Sequence, residues 1–225
     1  PRAARKADAE RRAARRPWTA DEVQEFLTAD VVASDRLYAA VLLLLMGLRP
    51  AEACGLPWCD VDLEAGTLSV VVTRTIVDGR VVEKDPKSAA GKRTLPLPQV
   101  AVTALREARR HQAAERLAAG PAYTATPRHV LVDELGRPLK TDQLRRALYR
   151  LMRAADVRQV RPYDARHACL TYLAANGVPD VVVSAWAGHA DLSLAKRVYV
   201  HPDATHLQAA ADRLDALLAP APSLA

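Results

Sequence analysis

Polar caps and apolar runs divide this chain into a helical first stretch, a strand-rich middle and a helical second half. Thr19-Ala20-Asp21-Glu22 has the form of a capping box, and it predicts a helix to about residue 29. Ser34 is the candidate cap of a second helix, which carries the longest apolar run, AAVLLLLM at 39–46, and stops at Gly47. Pro50 suits the first turn of a third helix, so Arg49 stands at a bend between helices, where its side chain can project into a cleft. From Thr67 the pattern turns β-branched and roughly alternating (TLSVVVTRTIV), Asp78-Gly79 makes a hairpin turn, and RVVEK is the return strand. A third short strand fits RTLPLP, so the three are expected to form one small antiparallel sheet. Pro98 precedes a long alanine-rich helix to about residue 118, followed by a VLV stretch at 130–132 and a turn near Gly136. From Thr141 onward the expectation is helices at about 141–155, 164–176, 179–187, 191–199 and 203–218. The predicted fold class is mainly α with a small antiparallel β-sheet (α+β), most simply a single domain.

Length and composition narrow the class further. With 225 residues, half of them apolar, the chain can bury one sizeable core. The longest apolar run is far short of the ~20 residues needed to cross a bilayer, and no apolar signal segment follows the arginine-rich start. The three cysteines, Cys54, Cys59 and Cys169, are odd in number and lack zinc spacing, which fits a reducing cytoplasm and no metal. The net charge of +6 points to an anionic partner, but residues 1–16 hold seven basic side chains against Asp8 and Glu10, leaving only +1 for the other 209 residues. That arm is either solvated or a linker that tracks DNA phosphates. The chain opens on Pro1 and is expected to be a piece of a longer protein.

Four motifs carry the chemistry. GLRPAEACGL at 47–56 contains Arg49; PKSAAGKRTLPLP at 86–98 contains Lys87; YDARHACLTYLAANGV at 163–178 contains Tyr163 and Arg166; WAGHADLSLAKRVYVH at 186–201 contains His189 and Tyr199. In order and spacing they resemble the boxes of the tyrosine recombinases, the phage integrase family, over about residues 19–201. The resemblance implies an integrase-type catalytic domain in which Arg49 and Arg166 bind the scissile phosphate, Lys87 protonates the departing 5′ oxygen, His189 assists and Tyr199 is the nucleophile. It also implies double-stranded DNA as substrate, a homotetramer on DNA, accessory DNA-bending or directionality proteins, a bacterial cytoplasmic, nucleoid-associated setting, and an N-terminal core-binding domain outside this chain.

The residue types suit that chemistry. Displacement at a phosphodiester builds charge on the non-bridging oxygens, and guanidinium forks are always-protonated donors that match it. A phenol ionises near pH 10 and so needs help from nearby cations to attack at neutral pH. A phosphotyrosyl link keeps the energy of the broken bond, so no ATP, and hence no phosphate-binding GxxxxGK[ST] loop, is required; no cofactor is expected. The departure is Tyr163, where the family most often has a histidine; a phenol is a poor base at neutral pH, so its role is reduced acid/base assistance or positioning.

Competing readings of the same residues stay open. Arg49 and Lys87 are ordinary surface residues outside their motifs, Tyr199 flanked by two valines can be a packing residue, and Tyr172 is a rival tyrosine. His189 and His201 with Asp164 or Asp203 form a weak candidate metal set, the basis of a metal-dependent nuclease reading. A catalytically weak or silent DNA-binding homologue and a type IB topoisomerase-like nicking and sealing activity also compete with the recombinase reading. The leucines of the last helix, Leu207, Leu214, Leu217 and Leu218, cover either this chain's own core or a neighbouring protomer.

Overall fold

The computed structural model describes residues 16–78, 80–86, 91–124, 129–188 and 204–219. Lys87, His189, Tyr199 and His201, most of the basic arm and the helix expected at 191–199 lie outside these residues.

The first helix, α1 (Ala20–Thr28), starts at the capping box: Thr19 Oγ1 accepts from the Glu22 N–H at 3.2 Å and Glu22 Oε2 from the Thr19 N–H at 2.8 Å. Trp18 packs on Phe26 with ring centroids 4.9 Å apart. Ser34 corrects the expectation set for it. It closes a one-turn helix, α2 (Asp30–Ala33), and its hydroxyl bonds back to the Asp30 carbonyl at 2.6 Å, toward the turn that precedes it and not toward the helix that follows. The next helix, α3 (Tyr38–Leu45), begins behind Asp35, whose carboxylate takes the Leu37 N–H at 2.8 Å. Residues 39–45 are all buried, as a helix apolar on every side must be. Helices α4 (Pro50–Gly55), α5 (Gln99–Ala119) and α7 (Pro162–Ala175) pack around it.

The expected single sheet is two. In the first, β2 (Thr67–Val70) lies between β1 (Val61–Asp62) and β5 (Arg93–Pro96), all antiparallel, with Leu68 opposite Leu95 and Val70 opposite Arg93. The second is the hairpin of β3 (Thr73–Val77) and β4 (Arg80–Lys84), with Asp78 at φ +49 in its turn. The long apolar run breaks at Val71-Val72 because the chain there passes the end of α4 backbone to backbone: a Cβ on Gly55 would lie 2.9 Å from the Arg74 nitrogen and 3.0 Å from the Val72 oxygen. Residues 130–132 make only isolated bridges, Val132 with Pro138 and the adjacent His129 with Pro57.

In the second half, α6 (Thr141–Ala154) and α7 are followed by α8 (Asp180–Ala187) and α9 (Ala204–Leu218). Helix α9 packs on its own chain against α1, α5, α7, α8 and β5, burying Ala210, Ala211, Leu214, Leu217 and Leu218. Asp215 accepts from the Val100 N–H at 3.3 Å, and Arg213 donates to the Asn176 carbonyl at 3.1 Å. None of the described helices is long and apolar enough to cross a membrane.

Candidate active site

The turn between α3 and α4 places two backbone groups and one side chain. Gly47 has φ +96, and a Cβ there would lie 3.3 Å from Cys169 Sγ, so both its conformation and its packing call for glycine. Its carbonyl accepts from Arg166 on α7. Two residues on, Arg49 is the N-cap of α4 with Pro50 in the first turn, and Glu52 at the third helical position turns back to accept the Arg49 N–H at 2.9 Å and Nη1 at 2.6 Å.

The end of α8 organises the rest. The last carbonyls of a helix have no partner within it and carry its negative pole. Here three consecutive carbonyls each receive an arginine. Trp186 O accepts from Arg93 Nε at 2.8 Å, Ala187 O from Arg166 Nη2 at 2.5 Å, and Gly188 O from Arg49 Nη2 at 3.4 Å. Gly188 ends the helix in the left-handed region, at φ +61 and ψ +46, where glycine carries no penalty. Trp186, fully buried, donates its Nε1 to the Met46 carbonyl at 2.7 Å and so fixes α8 against the α3–α4 turn.

One carboxylate serves these three guanidinium groups. Glu52, 2% exposed, accepts from Arg49 and, with both oxygens, from Arg93 at 3.0 and 3.2 Å. Burial works against its charge, but the hydrogen bonds and charge of Arg93 and the hydrogen bonds of Arg49 outweigh it and hold the carboxyl below its usual range. Arg166 is 1% exposed; burial, and then the like charge of Arg49, push it down to about 10 despite the attraction of Glu52. It is still cationic at neutral pH. The cluster therefore keeps an excess of positive charge away from water, an arrangement that suits an incoming anion.

Of the residues singled out from sequence, Arg49 and Arg166 meet on the end of α8, immediately before His189 in the chain. Tyr163 sits one turn before Arg166 on α7, is 44% exposed, and meets His167 edge to face at 5.1 Å between centroids. It lines a shallow cleft with Pro50, Arg145 and Arg161. Lys87, His189 and Tyr199 lie outside the described residues. Two members of the cluster escaped sequence reading. Glu52 carried a signal in its place three residues after the N-cap; Arg93, brought in by the pairing of β5 with β2, carried none. Asp164, weighed as a metal ligand, is instead buried against Arg161, with contacts of 2.8 and 2.9 Å. Among the described residues no group of three or more His, Cys, Asp or Glu side chains is placed to hold a metal ion.

Residues 17–206 match the phage integrase family model. The chain is 32% identical over 178 residues to a XerC-like tyrosine recombinase of Caldanaerobacter subterraneus, covering 74% of this chain and 46% of that protein. It is 33% identical over 137 residues to an integrase of Saccharopolyspora erythraea, covering 61% of this chain and 31% of that protein. It thus spans less than half the length of either relative. In fold it is similar to the Tn1549 transposon integrase in complex with transposon right end DNA, with a TM-score of 0.66, 21% identity, and 88% of this chain and 65% of that one covered. It is also similar to the XerA recombinase, with a TM-score of 0.61, 22% identity, and 86% and 62% covered.

Proposed function

This chain belongs to the phage integrase family, the tyrosine recombinases, and on that premise we propose that it is the catalytic part of a site-specific recombinase that integrates and excises a phage or other mobile element. Tyr199 attacks the scissile phosphorus of double-stranded DNA, the bond from phosphorus to the 5′ oxygen breaks, and a 3′-phosphotyrosyl link forms. The phenolic proton leaves to solvent or a neighbouring base, and Lys87 delivers a proton to the departing 5′ oxygen. Arg49 and Arg166 hold the non-bridging oxygens, whose charge grows as the phosphorus becomes five-coordinate. His189 donates to the same phosphate, and Tyr163 positions it. Four protomers on two DNA sites exchange strands by running the step forward and back, without metal or ATP.

The gathering of three arginines on the last carbonyls of α8, with a single carboxylate between them, carries this reading. Such a cluster carries two more positive charges than negative, and a phosphodiester offsets one of them in the geometry a guanidinium fork prefers. Tyr163 favours a second reading, a DNA-binding homologue with weak or no catalysis, because the imidazole usual in the family is absent from that position.

A nicked suicide substrate carrying the element's end sequence separates the two. With the full-length protein and chelator present, a denaturing gel is expected to show DNA attached to the wild type and none attached to Tyr199→Phe. DNA binding without an adduct in the wild type selects the non-catalytic reading.

A further inference from the structure

Arg93 opens β5, and although it belongs to the cluster, the cleavage step above gives it no role of its own. Its side chain is 7% exposed, and its three nitrogens together reach three parts of the site. Nε donates to the Trp186 carbonyl at the end of α8, at 2.8 Å. Nη2 donates to Glu52 Oε2 at 3.0 Å, and Glu52 in turn holds Arg49. Nη1 donates to Glu52 Oε1 at 3.2 Å and to the Gly91 carbonyl at 3.1 Å. Gly91 forms one side of a closed neck: a Cβ placed on it would lie 2.6 Å from the Cβ of Pro86. The residue that follows Pro86 is Lys87.

We propose that Arg93 is a positioning residue for strand cleavage, a single planar fork that fastens the neck between Pro86 and Gly91 to Glu52 on α4 and to Trp186 on α8. The segment that carries the general acid is thereby kept in register with the phosphate-binding arginines. This rests on the role given to Lys87 above. A guanidinium fits such a place because its donors point along fixed directions in one plane; an ammonium keeps the charge opposite Glu52 but cannot reach both carbonyls as well. Arg93→Lys therefore separates a fastening role from that of a simple counter-charge.

The discriminating substrate is DNA in which sulfur replaces the bridging 5′ oxygen at the scissile phosphate. A thiolate leaves without a proton, since a thiol ionises near pH ~8.5, so loss of general-acid assistance costs little on this DNA. On ordinary suicide DNA, Arg93→Lys is expected to form its covalent adduct about 10- to 100-fold more slowly than wild type, the scale of an ångström of misplacement. On the sulfur DNA it is expected to return to near the wild-type rate, as Lys87→Ala does and Arg49→Ala does not. A wild-type rate for Arg93→Lys on ordinary DNA, or a defect that sulfur leaves in place, overturns the proposal.

Hydrogen exchange on the same proteins supplies a readout independent of catalysis. Arg93→Lys is expected to speed exchange at residues 86–92 and at 186–188 together, with α3 still protected. Unchanged protection at either place overturns the fastening role, even for a wild type that forms no adduct and so fails as a recombinase. Loss of protection throughout α3 would mark Arg93 as a general support of the fold and overturn the proposal as well.

Discussion

Glu22 and Glu52 each grip an arginine with both oxygens, and the two places differ in what surrounds them. Glu22 in α1 takes Arg158 Nε at 2.7 Å and Nη2 at 2.9 Å, with Arg16 more loosely at 3.8 Å, and the pair remains about a quarter exposed. Arg158 also donates to the carbonyls of Arg16 and Pro17, while the indole of Trp18 donates to the Arg158 carbonyl, so this clasp ties the start of the domain to the segment before α7. Water shares the charge there, and the clasp needs no further partner. Glu52 is 1% exposed at its side chain and faces Arg49 and Arg93, with Arg166 close enough to feel both signs. Pulling Arg166 from its ordinary value down to about 10 corresponds to a cost of roughly 3 kcal/mol for keeping it charged. A fold tolerates such a cost where function requires it, so an uneven charge balance under burial, and not the number of ion pairs, separates the site from the scaffold.

The comparison breaks first at Glu52. Glu52→Gln leaves Arg49, Arg93 and Arg166 without a counter-charge, and removing one partner of a buried pair costs about 3–5 kcal/mol. Urea unfolding at pH 7 should show that loss with little change in the slope of the transition. A loss no larger than that of an exposed pair would mean that the helix end alone neutralises the cluster, and the contrast with Glu22 would disappear.

Sequence signals reached the two regions unequally. The capping box at Thr19, the stop at Gly47, Pro50 in a first turn and the described helices of the second half are local devices, and each was legible because its partners lie within four residues. Arg49 and Arg166 were visible for another reason, the likeness of their motifs to the family's boxes, while the N3 place of Glu52 after Arg49 is a local signal that went unread. The rest of the cluster is not local. Arg93 reaches Glu52 only through the pairing of β5 with β2, and the division of the strands into two sheets follows from the backbone contact at Gly55. Ser34 misled because a serine suits both ends of a helix, and only its bond back to Asp30 shows which end it serves.

An anion sharpens the contrast. If the Glu52 cluster lacks a negative charge, inorganic phosphate should stabilise the protein beyond chloride at equal ionic strength. A gain of about 1–2 kcal/mol, or roughly 2–8 °C in melting temperature for a chain of this size, is the expected range. Arg49→Ala, which removes the most exposed guanidinium of the cluster, should abolish that difference, whereas Arg158→Ala should lower stability and leave the difference intact. Equal phosphate effects in both variants would place the anion elsewhere on the surface.

The smallest effect belongs to Glu22, and its pH dependence has a definite sign. The hydrogen bond from Arg158 outweighs the opposing effect of burial, and with the Thr19 N–H it lowers the Glu22 carboxyl to about 2. A carboxyl whose folded value is depressed adds stability that is fully present above its unfolded value, near ~4.3, and is lost as the pH falls through the folded value. Glu22→Gln should therefore cost about 1 kcal/mol at pH 7, as expected for a partly exposed pair that also caps a helix, with linkage setting an upper limit near 3 kcal/mol. The gap between wild type and Glu22→Gln should stay constant from pH 7 to 5, narrow below pH 4 and close near pH 2. Chemical denaturation midpoints along that series measure it, and the variant's residual acid sensitivity reports the carboxylates that remain lowered, Glu52, Asp133 and Asp164 among them. A gap that instead widens on acidification would show that the clasp is not what lowers the Glu22 carboxyl, and the two glutamates would have to be compared on other grounds.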